Sequence, residues 1–454
     1  MKQKMTIHET ISITSMLFGM FFGAGNLIFP VYMGQLAGQK LIPAIIGFCV
    51  TGVGLPLLAV AALGISRSSG LAELSSRVGK GYGLFFTCAL YLTIGPFFAI
   101  PRCATVPFTV AIQELLPEGA SATLPLAIFS LVFFAAVLAF SLRPNGILTW
   151  IGRILNPIFL LSLGTLVIAA LVSPIGDVSQ IAPESAYASR TFFQGFLDGY
   201  NTMDTLAGLA FGIVVVNVIR GMGITEPNAV AGNTVRAGVS SCLLMAVIYL
   251  AVTVVGAQSR GLYDVCANGG EVLALVAHHY FGSVGAIILA VTVTFACLKT
   301  AVGLITSCAE TFAARFPKGP RYRAWAIIFC VVSFLIANLG LTAIINYSLP
   351  VLMFLYPLAI TLIVLTLCGK LFGNDRAVYG WVTGCTLAAA VYDFLAALPK
   401  NVIAALRLTN VLDFVKETLP FAKLGLGWVC PALIGLVIGL IVHFCKPRAT
   451  RAAC

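Results

Sequence analysis

An all-α polytopic membrane protein with about twelve transmembrane helices is the fold class that this sequence predicts, and three observations predict it. Of its 454 residues, 59% are hydrophobic and 9% charged, with a mean hydropathy of +1.01. So little polar surface cannot cover a water-soluble globule, and lipid must be the solvent. Apolar runs recur near 10–35, 41–65, 82–112, 124–141, 148–172, 192–219, 237–257, 283–314, 324–340, 343–368, 378–398 and 426–445. Each is long enough to cross a hydrocarbon core of ~30 Å as a helix. The runs are continuous, whereas a membrane β-barrel shows segments of roughly ten residues in apolar-polar alternation.

The first run follows Lys2 and Lys4 and passes Gly23-Ala24-Gly25, a pattern that a secretory signal with a small-residue cleavage site also shows. Glu9 interrupts the basic region and the apolar character continues through Leu27-Ile28-Phe29, so the segment is read as the first span. Within it Gly19-x-x-x-Gly23 suits a helix-packing face, and Gly25-Asn26 marks a helix break, since both residues weaken a helix. The second run is followed by an amphipathic segment, Leu71, Leu74, Val78 and Gly83, whose spacing recurs after the seventh run as Leu273, Val276, Tyr280 and Gly285. Five spans per unit is an odd number, so the second copy is expected to lie inverted in the membrane. The units are 10–172 and 192–368, with two additional helices over 378–445, in one transmembrane domain, 1–454.

The third run carries Pro101-Arg102-Cys103. The sixth, which corresponds to the first if the repeat is real, reads Asp198-Gly199-Tyr200-Asn201-Thr202-Met203-Asp204 and holds a second helix-hostile stretch. A broken backbone at membrane depth is tolerated only where it is buried in protein or lines a cavity, so paired breaks point to a substrate site. The eighth run places Thr292, Ala296, Lys299, Gly303, Ser307 and Glu310 on one helical stripe, expected to face other helices. The longest connections, 173–190, 258–282 and 399–425, leave no room for a soluble domain, so function must sit among the helices.

Orientation follows from the basic residues, which stay on the cytoplasmic side of short loops. With both termini inside, most of the 27 lysines and arginines fall in cytoplasmic segments, including Arg67, Arg77, Lys80, Arg315, Lys318, Arg321 and Arg323. The net charge of +11 is therefore a topology signal, and nucleic-acid binding is excluded for want of a basic soluble domain. The 13 cysteines show no C-x-x-C spacing and read as small packing residues. Adjacent His278 and His279 point roughly 100° apart on a helix and cannot clasp one metal ion.

An unwound first span leaves amides at Ala24, Gly25 and Asn26 at the positive end of the half-helix that follows, where a carboxylate is the natural guest. Carbonyls around Gly19, Phe22 and Tyr200 suit an ammonium group or a small cation. Asp204 is an ionisable residue deep in the sixth span, with Arg102 as its expected counter-charge; Asp198, nearer the outer end, is expected to be solvated. Lys299 is too deep in the eighth span to snorkel easily. It is either a tethered cation at the site or a structural charge.

These residues carry a resemblance. Phe22-Gly23-Ala24-Gly25-Asn26-Leu27-Ile28-Phe29-Pro30, then Gly95-Pro96 with Ala99 and Pro101-Arg102, then Gly199-Tyr200 with Thr202-Met203-Asp204, then Ala296-Cys297-Leu298 with Thr300-Ala301 and Gly303-Leu304, are similar to the LIVCS (BrnQ) family of branched-chain amino acid:cation symporters. The resemblance implies a LeuT-like fold of two inverted five-helix repeats plus two C-terminal helices. It also implies a secondary active importer of leucine, isoleucine and valine in the cell (inner) membrane. The substrate would meet Gly23, Ala24, Gly25, Asn26, Tyr200, Thr202, Met203, Asp204 and Leu304. A sodium site would be surrounded by Gly19, Phe22, Ala296, position 299 and Thr300. Lys299 departs from the simplest pattern there, which leaves sodium and proton coupling both open. No other cofactor is implied. A permease for another small amine or a nucleobase is the nearest alternative. A membrane-embedded enzyme would need a catalytic His, Ser, Cys or carboxylate set on facing helices, and no span but the last holds a histidine, His443.

Overall fold

A computed structural model describes residues 3–66, 68–113, 121–142 and 147–445, with 147–157, 159 and 185 described by backbone alone. Arg67, assigned above to the cytoplasmic side, and Lys2, which precedes the first run, lie outside the described residues. The described chain is helical over most of each apolar run. The first half comprises α1 (Ile7–Phe21), α2 (Gly25–Ala37), α3 (Leu41–Cys49), α4 (Leu55–Ser66), α5 (Leu71–Ser75), α6 (Lys80–Leu92), α7 (Ala99–Ala111), α8 (Thr123–Leu142) and α9 (Ile147–Val172). The second comprises α10 (Ser185–Ser189), α11 (Thr191–Asp198), α12 (Asp204–Gly221), α13 (Pro227–Ser259), α14 (Gly269–Arg315), α15 (Tyr322–Ala337) and α16 (Leu341–Leu367). Beyond these lie α17 (Arg376–Ala396), α18 (Lys400–Ala405), α19 (Thr409–Thr418) and α20 (Val429–Cys445).

Each predicted run is covered by helix, and three are interrupted at membrane depth. The first span is α1 and α2, the third is α6 and α7 joined by a wide turn, Thr93–Phe97, with Gly95 non-helical before Pro96, and the sixth is α11 and α12. The second span also carries a wide turn, Val50–Gly54, between α3 and α4. The amphipathic segments after the second and seventh spans are both largely helical. The first runs from α5 through a turn at Val78 to Gly83 in α6; the second lies within α14 and spans its bend at Gly282, where φ is 59°. In each, the predicted glycine is a point of close approach: a Cβ on Gly83 would fall 2.3 Å from Ser76 Oγ, and one on Gly285 2.0 Å from Phe281 Cβ.

Glycines also set how close the long helices come. A Cβ on Gly34 would fall 2.0 Å from the Thr253 carbonyl, and one on Gly256 1.9 Å from the Val31 carbonyl, so α2 and α13 touch backbone to backbone. The pair α3 and α11 repeats the device with Gly47 against Phe192 and Gly195 against Ala44, each 2.0 Å from a carbonyl oxygen. Small residues at interfaces let backbones approach where lipid removes the hydrophobic driving force. The expected packing glycine of the first span is not among them. Gly19 is exposed, and nothing lies within 4 Å of where its Cβ would be.

The stripe on the eighth span also departs from expectation. Thr292 is buried, but Gly303 and Glu310 are exposed. The face that packs is the neighbouring one, Cys297, Ala301, Ile305, Cys308 and Ala309. Small and polar residues mark a face that avoids lipid, and a cavity satisfies that as well as a helix does.

Candidate functional site

The first break lies at Phe22–Ala24, a few residues before the predicted Gly25-Asn26. Phe22 turns extended (φ −76°, ψ 107°) and α2 begins at Gly25. In a continuous helix the Gly23 amide would close on Gly19; here it donates to Asn26 Oδ1 at 2.9 Å. Asn26 therefore shapes the break from inside the following helix. Its own amide is spent on the Gly23 carbonyl at 3.2 Å, so the amides left for a ligand are those of Ala24 and Gly25.

The second break is a tight turn, Gly199–Thr202, ended by Met203 in the left-handed region at φ 61°. A long side chain held there is strained, and such strain clusters at functional sites. The Tyr200 carbonyl is not free, because it accepts the Met203 amide at 3.0 Å. Nor does the Tyr200 ring line the site: it is fully buried and stacked on Tyr356, with centroids 3.9 Å apart.

The two breaks are tied by Asn26. Its Nδ2 donates to Asp204 Oδ2 at 2.6 Å and to the Tyr249 hydroxyl, which in turn donates to Asp204 Oδ2 at 3.5 Å. Asp204 is 3% exposed. Its expected partner is elsewhere: Arg102 donates from Nη1 to the Asn201 carbonyl at 2.8 Å and from Nη2 to the Ser348 hydroxyl, with its guanidinium over the Phe29 ring. The predicted ion pair is thus replaced by two separate sets of neutral partners. Tyr249 and Ser348 were missed because single hydroxyls in apolar runs are too common to stand out. Phe29 was inside a quoted motif but had no assigned role. Asp198, expected to be solvated, accepts from the Tyr187 hydroxyl and from Gln194 Nε2 at 3.2 Å.

A central cavity of about 80 Å³ lies between the breaks, lined by Gly23, Ala24, Gly25, Asn26, Thr202, Met203, Asp204 and Leu304 together with Arg102, Cys103 and Phe211. Of the residues predicted to meet the substrate, only Tyr200 is left out of it. Beside it is a smaller cavity of about 40 Å³ lined by Gly19, Phe22, Ala296, Lys299 and Thr300, which brings together the residues predicted to surround a cation. Gly23, Ala24 and Thr300 line both and form the wall between them. On the side where α2 ends, a cavity of about 370 Å³ is lined by Phe29, Asp198 and Asn201. Arg102, with Phe29 beneath it and Asn201 bound to it, lies between this cavity and the central one.

If Asn26 rather than Arg102 holds Asp204, thermal stability should say so. In ligand-free protein, Asp204→Asn and Asn26→Ala are expected to be non-additive by about 1 kcal/mol or more, whereas Asp204→Asn and Arg102→Gln add. Additivity of the first pair would remove the assignment. Asp204→Asn is also expected to lower uptake at least about tenfold, as loss of one charge-assisted contact does.

Residues 6–446 match the family described as branched-chain amino acid transport protein. The chain is 53% identical over 434 residues to the branched-chain amino acid permease BrnQ of Lactobacillus delbrueckii subsp. lactis, covering 96% of each. It is 41% identical over 450 residues to the branched-chain amino acid permease BrnQ of Bacillus subtilis, covering 99% of this chain and 100% of that one. Among solved structures, the inward-facing conformation of Mhp1 shares its fold, with a TM-score of 0.63 at 14% identity over 96% of this chain and 90% of that one.

Proposed function

The chain belongs to the family of branched-chain amino acid transport proteins, and from that premise we propose that it imports leucine, isoleucine and valine across the inner membrane, with both termini cytoplasmic and with a proton on Lys299 as the coupling cation. At the level of the family it is a multi-pass secondary transporter of branched-chain amino acids and not an enzyme. The central cavity is the substrate site in this reading. The substrate carboxylate meets the Ala24 and Gly25 amides at the positive end of α2. The apolar side chain lies against Met203, Phe211 and Leu304, which line the same cavity.

One observation carries the coupling proposal. Lys299 lines the small cavity that adjoins the central one, and among the described residues it forms no hydrogen bond or ion pair. A sodium ion there would take carbonyl oxygens and the Thr300 hydroxyl as ligands, and those donors fit it. The lysine ammonium opposes it by charge repulsion. Thr300 Oγ1 is moreover turned to the Ala296 carbonyl at 3.1 Å, so two of the candidate oxygens already engage each other. A tethered ammonium supplies the positive charge instead, and a lysine whose surroundings change through the cycle binds and releases a proton.

The test is uptake of labelled leucine into proteoliposomes with sodium and proton gradients imposed independently. Uptake should rise several-fold with an inward proton gradient and ignore sodium. Lys299→Thr should lose the proton response and become sodium-responsive or inactive. Strict sodium dependence of the unmodified protein at fixed pH would refute proton coupling through Lys299.

A further inference from the structure

Arg102 is a full positive charge inside the protein with no carboxylate to answer it. The residue is 4% exposed. Its guanidinium carbon sits 5.1 Å from the Phe29 ring centroid, its two terminal nitrogens bind the neutral oxygens of Asn201 and Ser348, and its Nε has no partner. Among the described residues no Asp or Glu forms an ion pair with it. A buried guanidinium left without an anion is costly, and two neutral acceptors only partly offset that cost. A charge kept in such a place is matched to an anion that arrives and departs.

The surroundings specify the anion. Arg102 lines the same cavity as the Ala24 and Gly25 backbone, and so does Asp204, the opposite charge, which is held only by neutral donors. Two opposite charges that share a small cavity without touching are both completed by a guest with a negative and a positive end. An α-amino acid zwitterion is that guest.

We propose that Arg102 is a receptor for the substrate carboxylate and the residue that makes an α-carboxylate a requirement for binding. The amides of Ala24 and Gly25 share the carboxylate, and Asp204 answers the ammonium. This rests on the reading of the central cavity as the amino-acid site. The ties to Asn201 and Ser348, together with the Phe29 ring, position the guanidinium plane in the cavity wall, and Nε–H is left unpaired. A planar, always charged fork suits a carboxylate better than an ammonium does.

The measurement is competition against labelled leucine on purified full-length protein by leucine and by leucinamide. Leucinamide keeps the side chain and the ammonium but lacks the carboxylate charge. The preference for leucine over leucinamide should fall about ten- to hundredfold in Arg102→Gln, as expected for loss of one charge-assisted contact, and recover in part in Arg102→Lys. A purely structural role would weaken both ligands equally, and an unchanged ratio would overturn the inference. Should the glutamine variant fail to fold, the wild-type protein supplies the readout: glyoxal labelling of Arg102, followed by mass spectrometry, is slowed by leucine and not by leucinamide. Equal protection by both overturns the inference. A wild-type protein that binds no leucine would remove the reading of the cavity first, and the role of Arg102 with it.

Discussion

Gly25→Leu is expected to abolish leucine uptake while the protein still inserts and survives purification. Gly25 is the first residue of α2, and a Cβ there would lie 3.3 Å from the Phe29 ring and 3.6 Å from the Thr202 backbone. A leucine side chain would therefore stand between the two helix breaks, in the space where the proposed substrate carboxylate would reach the Ala24 and Gly25 amides. It would also meet a ring that carries Arg102. The 3.3 Å contact is tight, but it is made to the edge of a side-chain ring that needs to give by only a few tenths of an ångström, and the backbone contact at 3.6 Å is ordinary, so the added bulk falls on the cavity more than on the fold. Initial uptake rates normalised to protein in the membrane are the check, with a loss of about a hundredfold or more for leucine, as when binding geometry is lost. Gly25→Ala should keep part of the activity. Wild-type rates in the leucine variant would end the reading of this break as the substrate site.

Gly256→Leu should fail earlier, at folding. The added Cβ would fall 1.9 Å from the Val31 carbonyl, a backbone atom that moves only if α2 and α13 part. Overpacking commonly costs about 1–3 kcal/mol, and backbone contact on both helices puts this site at or beyond the upper end. Even Gly256→Ala should lower the melting temperature in detergent and reduce the monodisperse fraction. The contrast is Gly232, on the same helix with nothing within 4 Å of its Cβ position. Gly232→Ala should be neutral or stabilising by up to about 1 kcal/mol, the helix propensity difference. Equal melting of the two alanine variants would show that the close approach does not limit stability.

That the chain is helical and polytopic was legible because hydropathy and length are local properties, and the LeuT-like fold came through the resemblance carried by the motifs of four spans, two of which hold helix-hostile residues. What pairs with what was not legible. Arg102 and Asp204 carry opposite charges in the third and sixth spans, and sequence alone joins them; Asn26 and Tyr249 reach Asp204 first, and Asn201 and Ser348 reach Arg102 first. The position of the first break shifted for a similar reason. Asn26 was counted as a helix-weakening residue, yet its side chain takes the Gly23 amide and lets the helix resume before it. Tyr200 sits in the right stretch, but stacking on Tyr356, from a span far away in sequence, turns its ring from the cavity. Composition finds the stretch, while side-chain direction depends on neighbours that only the assembled helices supply.

The reciprocal glycine contacts bear on mechanics. A contact made through side chains has rotamers to absorb a push, whereas backbone against backbone has almost none. At Gly34 with Gly256, and at Gly47 with Gly195, α2 is therefore stiffly coupled to α13 and α3 to α11. Thr51 adds a fastener near the second pair, its hydroxyl donating to the Phe196 carbonyl at 2.7 Å. The compliant joints are the segments where helical hydrogen bonding lapses, Phe22–Ala24 and Gly199–Met203. On the proposed reading of the central cavity, each coupled pair would turn as one arm about these joints, so that a small shift around a bound substrate would widen with distance along both helices.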